Sequence, residues 1–133
     1  MAKDGLVTLE SRHSAPQTIE RLTAEIEKRG MTVFARIDHA AAASAEGMEL
    51  RPTEVLLFGN PRAGTPLMQA DQTIGIDLPL KLLVWADGAG KVWLAYNDPV
   101  WLGARHGLPP GEGERLKAMA AALHAIAMAA AGN

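Results

Sequence analysis

The apolar positions of this chain change period several times, and each change marks a predicted element. Leu6 to Glu10 alternates as a short strand does. Ser14-Ala15-Pro16-Gln17 then sets a capping serine three residues before a glutamine, with proline in the first turn. Ile19, Leu22 and Ile26 follow at helical spacing, and Gly30 ends that run. From Met31 the period becomes two. Met31, Val33, Ala35 and Ile37 share one face of a strand; Thr32, Phe34, Arg36 and Asp38 share the other. Asp38 is placed to cap a short alanine-rich helix, Ala40 to Glu46, closed by Gly47. After the loop at Arg51-Pro52, Glu54 to Phe58 is apolar beyond its first residue, as in a strand covered on both faces. That strand breaks at Gly59, and Asn60-Pro61 opens a helix or tight turn.

Gln69 to Leu78 reads as irregular. Leu80 to Ala86 and Lys91 to Asn97 are strands joined by Asp87-Gly88-Ala89-Gly90, a hairpin signal. A turn of those four residues pairs Trp85 with Val92 and sets Lys81 and Tyr96 on one face; a three-residue turn reverses the faces. Asp98-Pro99 opens a further short helix through Arg105. Pro109-Pro110-Gly111 is a linker, and the alanine-rich tail carries a thin stripe of Leu116, Met119, Leu123 and Ile126. A lone helix of that kind is marginal in water, so it must dock on the domain or on a second copy. The predicted fold is α+β: a small mixed or antiparallel sheet packed against helices, residues 1–108, then a linker and C-terminal helix, 109–133.

Composition narrows the function classes. The chain has no cysteine, which excludes disulfides, thiolate metal sites and cysteine nucleophiles. Acids and bases are interspersed and the net charge is −2, with no basic stripe, so nucleic acid is not an expected partner. The beginning, Met1-Ala2-Lys3-Asp4-Gly5, has no apolar run behind it, and no window approaches a membrane span. The expectation is a cytoplasmic protein without a membrane partner.

Three groups of residues could carry chemistry. Gly59-Asn60-Pro61-Arg62-Ala63-Gly64-Thr65 is a strand-to-helix corner, with Met68 one turn further on. Glycine permits close approach, and a helix start offers N–H groups to an anion. The Gly-Lys-Ser/Thr ending of a P-loop is absent. The simpler account is structural: Asn60 caps, Pro61 presets φ and Gly64 supplies a positive φ. Asp38-His39 places an imidazole at a helix start, where the dipole favours the neutral ring. His39 is thus a candidate general base or a metal or haem ligand, with Met68 as a second axial candidate. No other histidine stands at metal-ligand spacing, so no metal site is assigned. The third group is Asp77, Lys81, Tyr96, Asn97 and Asp98. Lys81 beside Tyr96 would make an acid–base or anion-binding pair, or a lysine stem covering a ring.

These residues also form a recognisable combination. Phe34-Ala35-Arg36-Ile37-Asp38-His39-Ala40, Leu50-Arg51-Pro52-Thr53, Phe58-Gly59-Asn60-Pro61 with Gly64-Thr65-Pro66-Leu67-Met68, Asp77-Leu78-Pro79-Leu80-Lys81, and Val92-Trp93-Leu94-Ala95-Tyr96-Asn97-Asp98-Pro99 resemble the domain-of-unknown-function 302 family of bacteria and archaea. The resemblance runs from about Thr18 to His106. It implies a compact α+β domain that tends to form homodimers, and no established reaction or cofactor. The family's recurring polar positions fall on Asp38, His39, Asn60, Thr65, Asp77, Lys81, Asn97 and Asp98. The reading that follows is a homo-oligomeric module binding a small anionic or redox ligand, with His39, Gly59, Asn60, Gly64, Thr65, Met68, Lys81 and Tyr96 as contacts. Its alternatives are an enzyme or haem/metal protein using His39, and a structural or regulatory dimer joined through Trp93, Trp101 and the tail helix.

Overall fold

The computed structural model describes residues 3–132. β1 (Leu6–Ser11) leads into α1 (Ala15–Lys28), which carries the chain across to the opposite edge of the sheet. β2 (Thr32–Asp38), α2 (His39–Ala45), β3 (Thr53–Gly59), α3 (Pro61–Ala70), β4 (Leu80–Ala86) and β5 (Val92–Asn97) then return it, so that β5 lies beside β1. The order β1-β5-β4-β3-β2 is antiparallel throughout. A 3-10 turn, Gln72–Asp77, precedes β4, and α4 (Pro99–Arg105) and α5 (Gly113–Ala131) complete the chain. The architecture is α+β, as the sequence predicts.

The predicted caps form. Ser14 and Gln17 make a full capping box; Asp38, Asn60 and Asp98 each accept a backbone N–H at the start of α2, α3 and α4. α1 and α5 lie on one sheet face. Leu22 and Ile26 from α1, with Leu123 and Ile126 from α5, meet Phe58 and Leu94 of the sheet in one core. Arg21 fastens the two helices, donating from Nε to Ala130 O and from Nη2 to Ala129 O. The tail helix therefore docks on its own domain. A second cluster at the end of the sheet joins Leu67 of α3, Ile74 of the 3-10 turn, Leu102 of α4, and Leu116 and Met119 of α5.

Two details differ from the sequence reading. The β4–β5 turn spans residues 87–91, one more than the four-residue turn, so Trp85 faces Trp93 and Ala86 faces Val92. Asp87 causes the difference: its Oδ1 accepts from Ala89 N and Lys91 N, and its Oδ2 accepts from Trp93 Nε1 at 2.9 Å. The extra residue changes which side chains share a face. Tyr96 turns toward the helices with Leu94, whereas Lys81 lies on the opposite face, paired in register with Leu57. Second, β3 is not covered equally on its two faces. Leu56 and Phe58 are fully buried under the helices, while Val55 and Leu57 are half-buried on the other side.

Candidate ligand-binding site

The strand-to-helix corner forms through Asn60 and Pro61, but Gly64 takes no positive φ: α3 runs on through it to Ala70. β3 ends at Gly59, Asn60 Oδ1 accepts from Arg62 N at 2.9 Å, and Pro61 occupies the first turn of α3. α3 then leans over the end of the sheet with the 3-10 turn beside it. Gly75 permits that approach, since a β-carbon there would sit 3.3 Å from Met68 Sδ. The Leu78–Pro79 peptide is cis.

A half-open cavity of about 750 Å³ lies among α3, the 3-10 turn, β3, β4 and one side of α5. That volume is within the usual range for small-molecule sites, roughly 300–1,000 Å³. Its walls are mainly apolar: Leu57, Met68, Leu78, Leu80, Met119 and Leu123 belong to it. Asn60 and Thr65 supply polar groups at the corner, and Arg29 and Arg115 supply guanidinium groups. The lining contains no carboxylate.

Five of the residues singled out from sequence meet in this cavity: Gly59, Asn60, Gly64, Thr65 and Met68. His39, Lys81 and Tyr96 are outside its lining. His39 is exposed at the first position of α2. Lys81 Nζ donates to Asp77 O at 3.2 Å, which ties β4 to the preceding turn. The Tyr96 hydroxyl lies 3.1 Å from His124 Nδ1 of α5, and burial, with Asp98 nearby, raises its pKa above the ordinary phenol value. Lys81 and Tyr96 therefore form no acid–base pair, because the five-residue turn separates them onto opposite faces. Among the described residues, no three His, Cys, Asp or Glu side chains group as metal ligands would.

The sequence reading missed Arg29, Met31, Arg115 and Met119. Arg29 reads as an ordinary cation at a helix C-terminus. Arg115 and Met119 lie on a tail whose docking place the sequence does not show. One signal was present: Arg115 stands in the first turn of α5, where a cation opposes the helix dipole.

A polar cluster sits behind the 3-10 turn. Asp77 Oδ2 accepts from His106 Nε2 at 2.5 Å and from Arg105 Nη1 at 2.7 Å. His106 Nδ1 lies 3.0 Å from Thr73 Oγ1, which is 2.6 Å from Asp71 Oδ1. Burial opposes ionisation of Asp77, but the His106 hydrogen bond and the Arg105 cation outweigh it, so its pKa is lowered. The cluster holds the 3-10 turn, and with it Gly75 and Leu78 of the cavity wall, against the end of α4.

Fold and cavity together describe a small antiparallel α+β domain with an apolar cavity beside its sheet. The chain belongs to the family described as "Domain of unknown function DUF302", which it matches over residues 7–126. That match reaches into α5, beyond the motifs visible between Thr18 and His106. The crystal structure of an uncharacterized conserved DUF302 protein from Bacillus stearothermophilus has the same fold, with a TM-score of 0.85 at 20% identity, over 96% of this chain and 99% of that one. The chain is also 51% identical over 129 residues to the fluoride-specific ion channel FluC 1 of Brucella suis, covering 97% of this chain and 51% of that protein. A FluC 1 from Brucella abortus is likewise 51% identical, with 97% and 48% covered. The chain thus spans about half the length of these relatives. Among its described residues, no helix is long and apolar enough to cross a membrane.

Proposed function

We propose that this chain is a cytoplasmic small-ligand-binding module whose ligand occupies the cavity beside the Gly59–Met68 corner. The observation that carries the reading is the cavity itself: about 750 Å³, apolar-walled, with a few polar groups in its lining. The apolar walls shift the expected ligand from a small bare anion to a molecule with an apolar body. His39, exposed and outside the lining, has no part in this site. Native mass spectrometry of the protein purified without denaturant is expected to show a bound small molecule. Absence of any bound mass, together with no thermal shift from a panel of apolar metabolites and cofactors, would contradict the reading.

The module pairs with a second copy through the sheet face opposite the helices. Trp85 and Trp93 stack there with ring centroids 6.4 Å apart, beside half-buried Val55 and Leu83. At the β2 edge, Ile37 is 42% exposed.

A second reading concerns context. The relatives named fluoride-specific ion channels contain this domain as about half of their length. Their channel activity would then reside in the other half, and this domain would modulate it. Fluoride efflux through the Brucella suis protein should change when the matching half is removed; unchanged efflux would dispose of this reading.

A further inference from the structure

The cavity's charge says what kind of ligand it suits. Arg29 and Arg115 belong to its lining, and no lining carboxylate opposes them. Each guanidinium is held through Nε alone, by a carboxylate close to it in sequence. Arg29 Nε donates to Glu25 Oε1 at 3.0 Å, and Arg115 Nε donates to Glu112 Oε2 at 3.2 Å. Among the described residues, the terminal nitrogens of both donate no hydrogen bond. Arg21 and Arg105 instead commit a terminal nitrogen, Arg21 to an α5 carbonyl and Arg105 to Asp77. Two guanidinium groups with free terminal donors, in the lining of an apolar-walled cavity, match an oxyanion carried on a hydrocarbon body.

We propose that the site takes a single-chain amphiphile with an anionic head, carboxylate or phosphate. The hydrocarbon lies along Met68, Leu80, Met119 and Leu123, and the head reaches Arg29 and Arg115. This rests on the cavity being a ligand site at all, and the test separates the two claims.

The full chain is titrated with dodecanoate, dodecyl phosphate and dodecanol below their micellar concentrations, each displacing the neutral dye N-phenyl-1-naphthylamine. The expected result is that the anionic probes bind roughly tenfold or more tightly than dodecanol, the yield of a charge-assisted hydrogen bond. Comparing the two anions shows which head is preferred. Each methylene added from octanoate to dodecanoate should tighten binding by up to about fourfold. The double variant Arg29→Gln/Arg115→Gln should lose the preference for the anions over dodecanol. Both side chains are substantially exposed, so the variant is expected to fold. Equal binding of dodecanol and dodecanoate, or a preference that survives the double variant, overturns the anionic head while the cavity reading stands. Dye binding that none of the three probes displaces overturns the amphiphile. Failure of the dye itself to bind removes the cavity reading and this proposal together.

Discussion

The Ser11–Thr18 pair shows how completely the buried polar groups of this chain are used. Thr18 Oγ1 donates to Ser14 O at 2.8 Å, so its contact with Ser11 Oγ at 2.7 Å must be donated by the serine. Ser11 Oγ in turn accepts from His13 N at 3.1 Å. Thr18 is fully buried. Thr18→Val keeps the shape and strands the serine hydroxyl, so it should destabilise the protein by about 1–3 kcal/mol in urea unfolding. Gly5 is a second such position. It sits at φ +74°, and an added β-carbon would strike the Trp101 ring. Its carbonyl accepts from Asp98 N at 2.7 Å, closing β1 onto the start of α4. Gly5→Ala should cost about 1–3 kcal/mol and lower Tm by several degrees; an unchanged Tm would contradict the strained corner. The caps Ser14, Asp38, Asn60 and Asp98 were legible at this scale because each acts within a few residues of itself. The threonine–serine pair was not, since residue type does not show that two hydroxyls will share one buried volume.

At the scale of elements, the tie between the 3-10 turn and α4 governs one wall of the cavity. Asp77 is the centre of that tie, and its folded-state pKa is depressed. A depressed carboxylate contributes stability that is present above its unfolded value and is lost as pH falls through the folded one. Tm should therefore decline as pH drops below about 4, the ordinary carboxylate value. Asp77→Asn should lower Tm at neutral pH and flatten this acid limb; an acid limb as steep as before would show that Asp77 does not carry it. His106→Ala should speed hydrogen exchange in residues 72–78 with little change in α1. The elements themselves were legible wherever period and caps agreed, as in α1, α2 and the β4–β5 hairpin. The hairpin's register was not legible, because one carboxylate, Asp87, decides how many residues the turn holds. That single residue also separates Lys81 from Tyr96, which the sequence reading had set side by side. The 3-10 turn looked irregular because it has no helical apolar stripe, only Ile74 anchored beneath it.

Over the whole molecule, the sheet separates two surfaces with different uses. One face carries α1 and α5, and the cavity beside them also reaches Leu57 of the other face. The other keeps Val55, Leu83, Trp85 and Trp93 half-buried. At micromolar concentration light scattering should report a dimer, and Trp93→Glu should return a monomer; a monomeric wild type would contradict pairing through this face. The corner at Gly59–Met68 was legible because its glycines, cap and proline are contiguous. The opposite wall was not, because it comes from an alanine-rich helix about fifty residues later, and the sequence does not say where that helix docks. Ala122, half-buried on α5, lines the cavity from that side. The central claim is that a ligand occupies the space between the corner and α5. Titration with N-phenyl-1-naphthylamine, on wild type and on Ala122→Trp, tests it most directly. The account predicts one saturable site in the wild type and its loss in the variant, with the circular dichroism spectrum unchanged. Equal binding by both proteins, or no binding by the wild type, would contradict it.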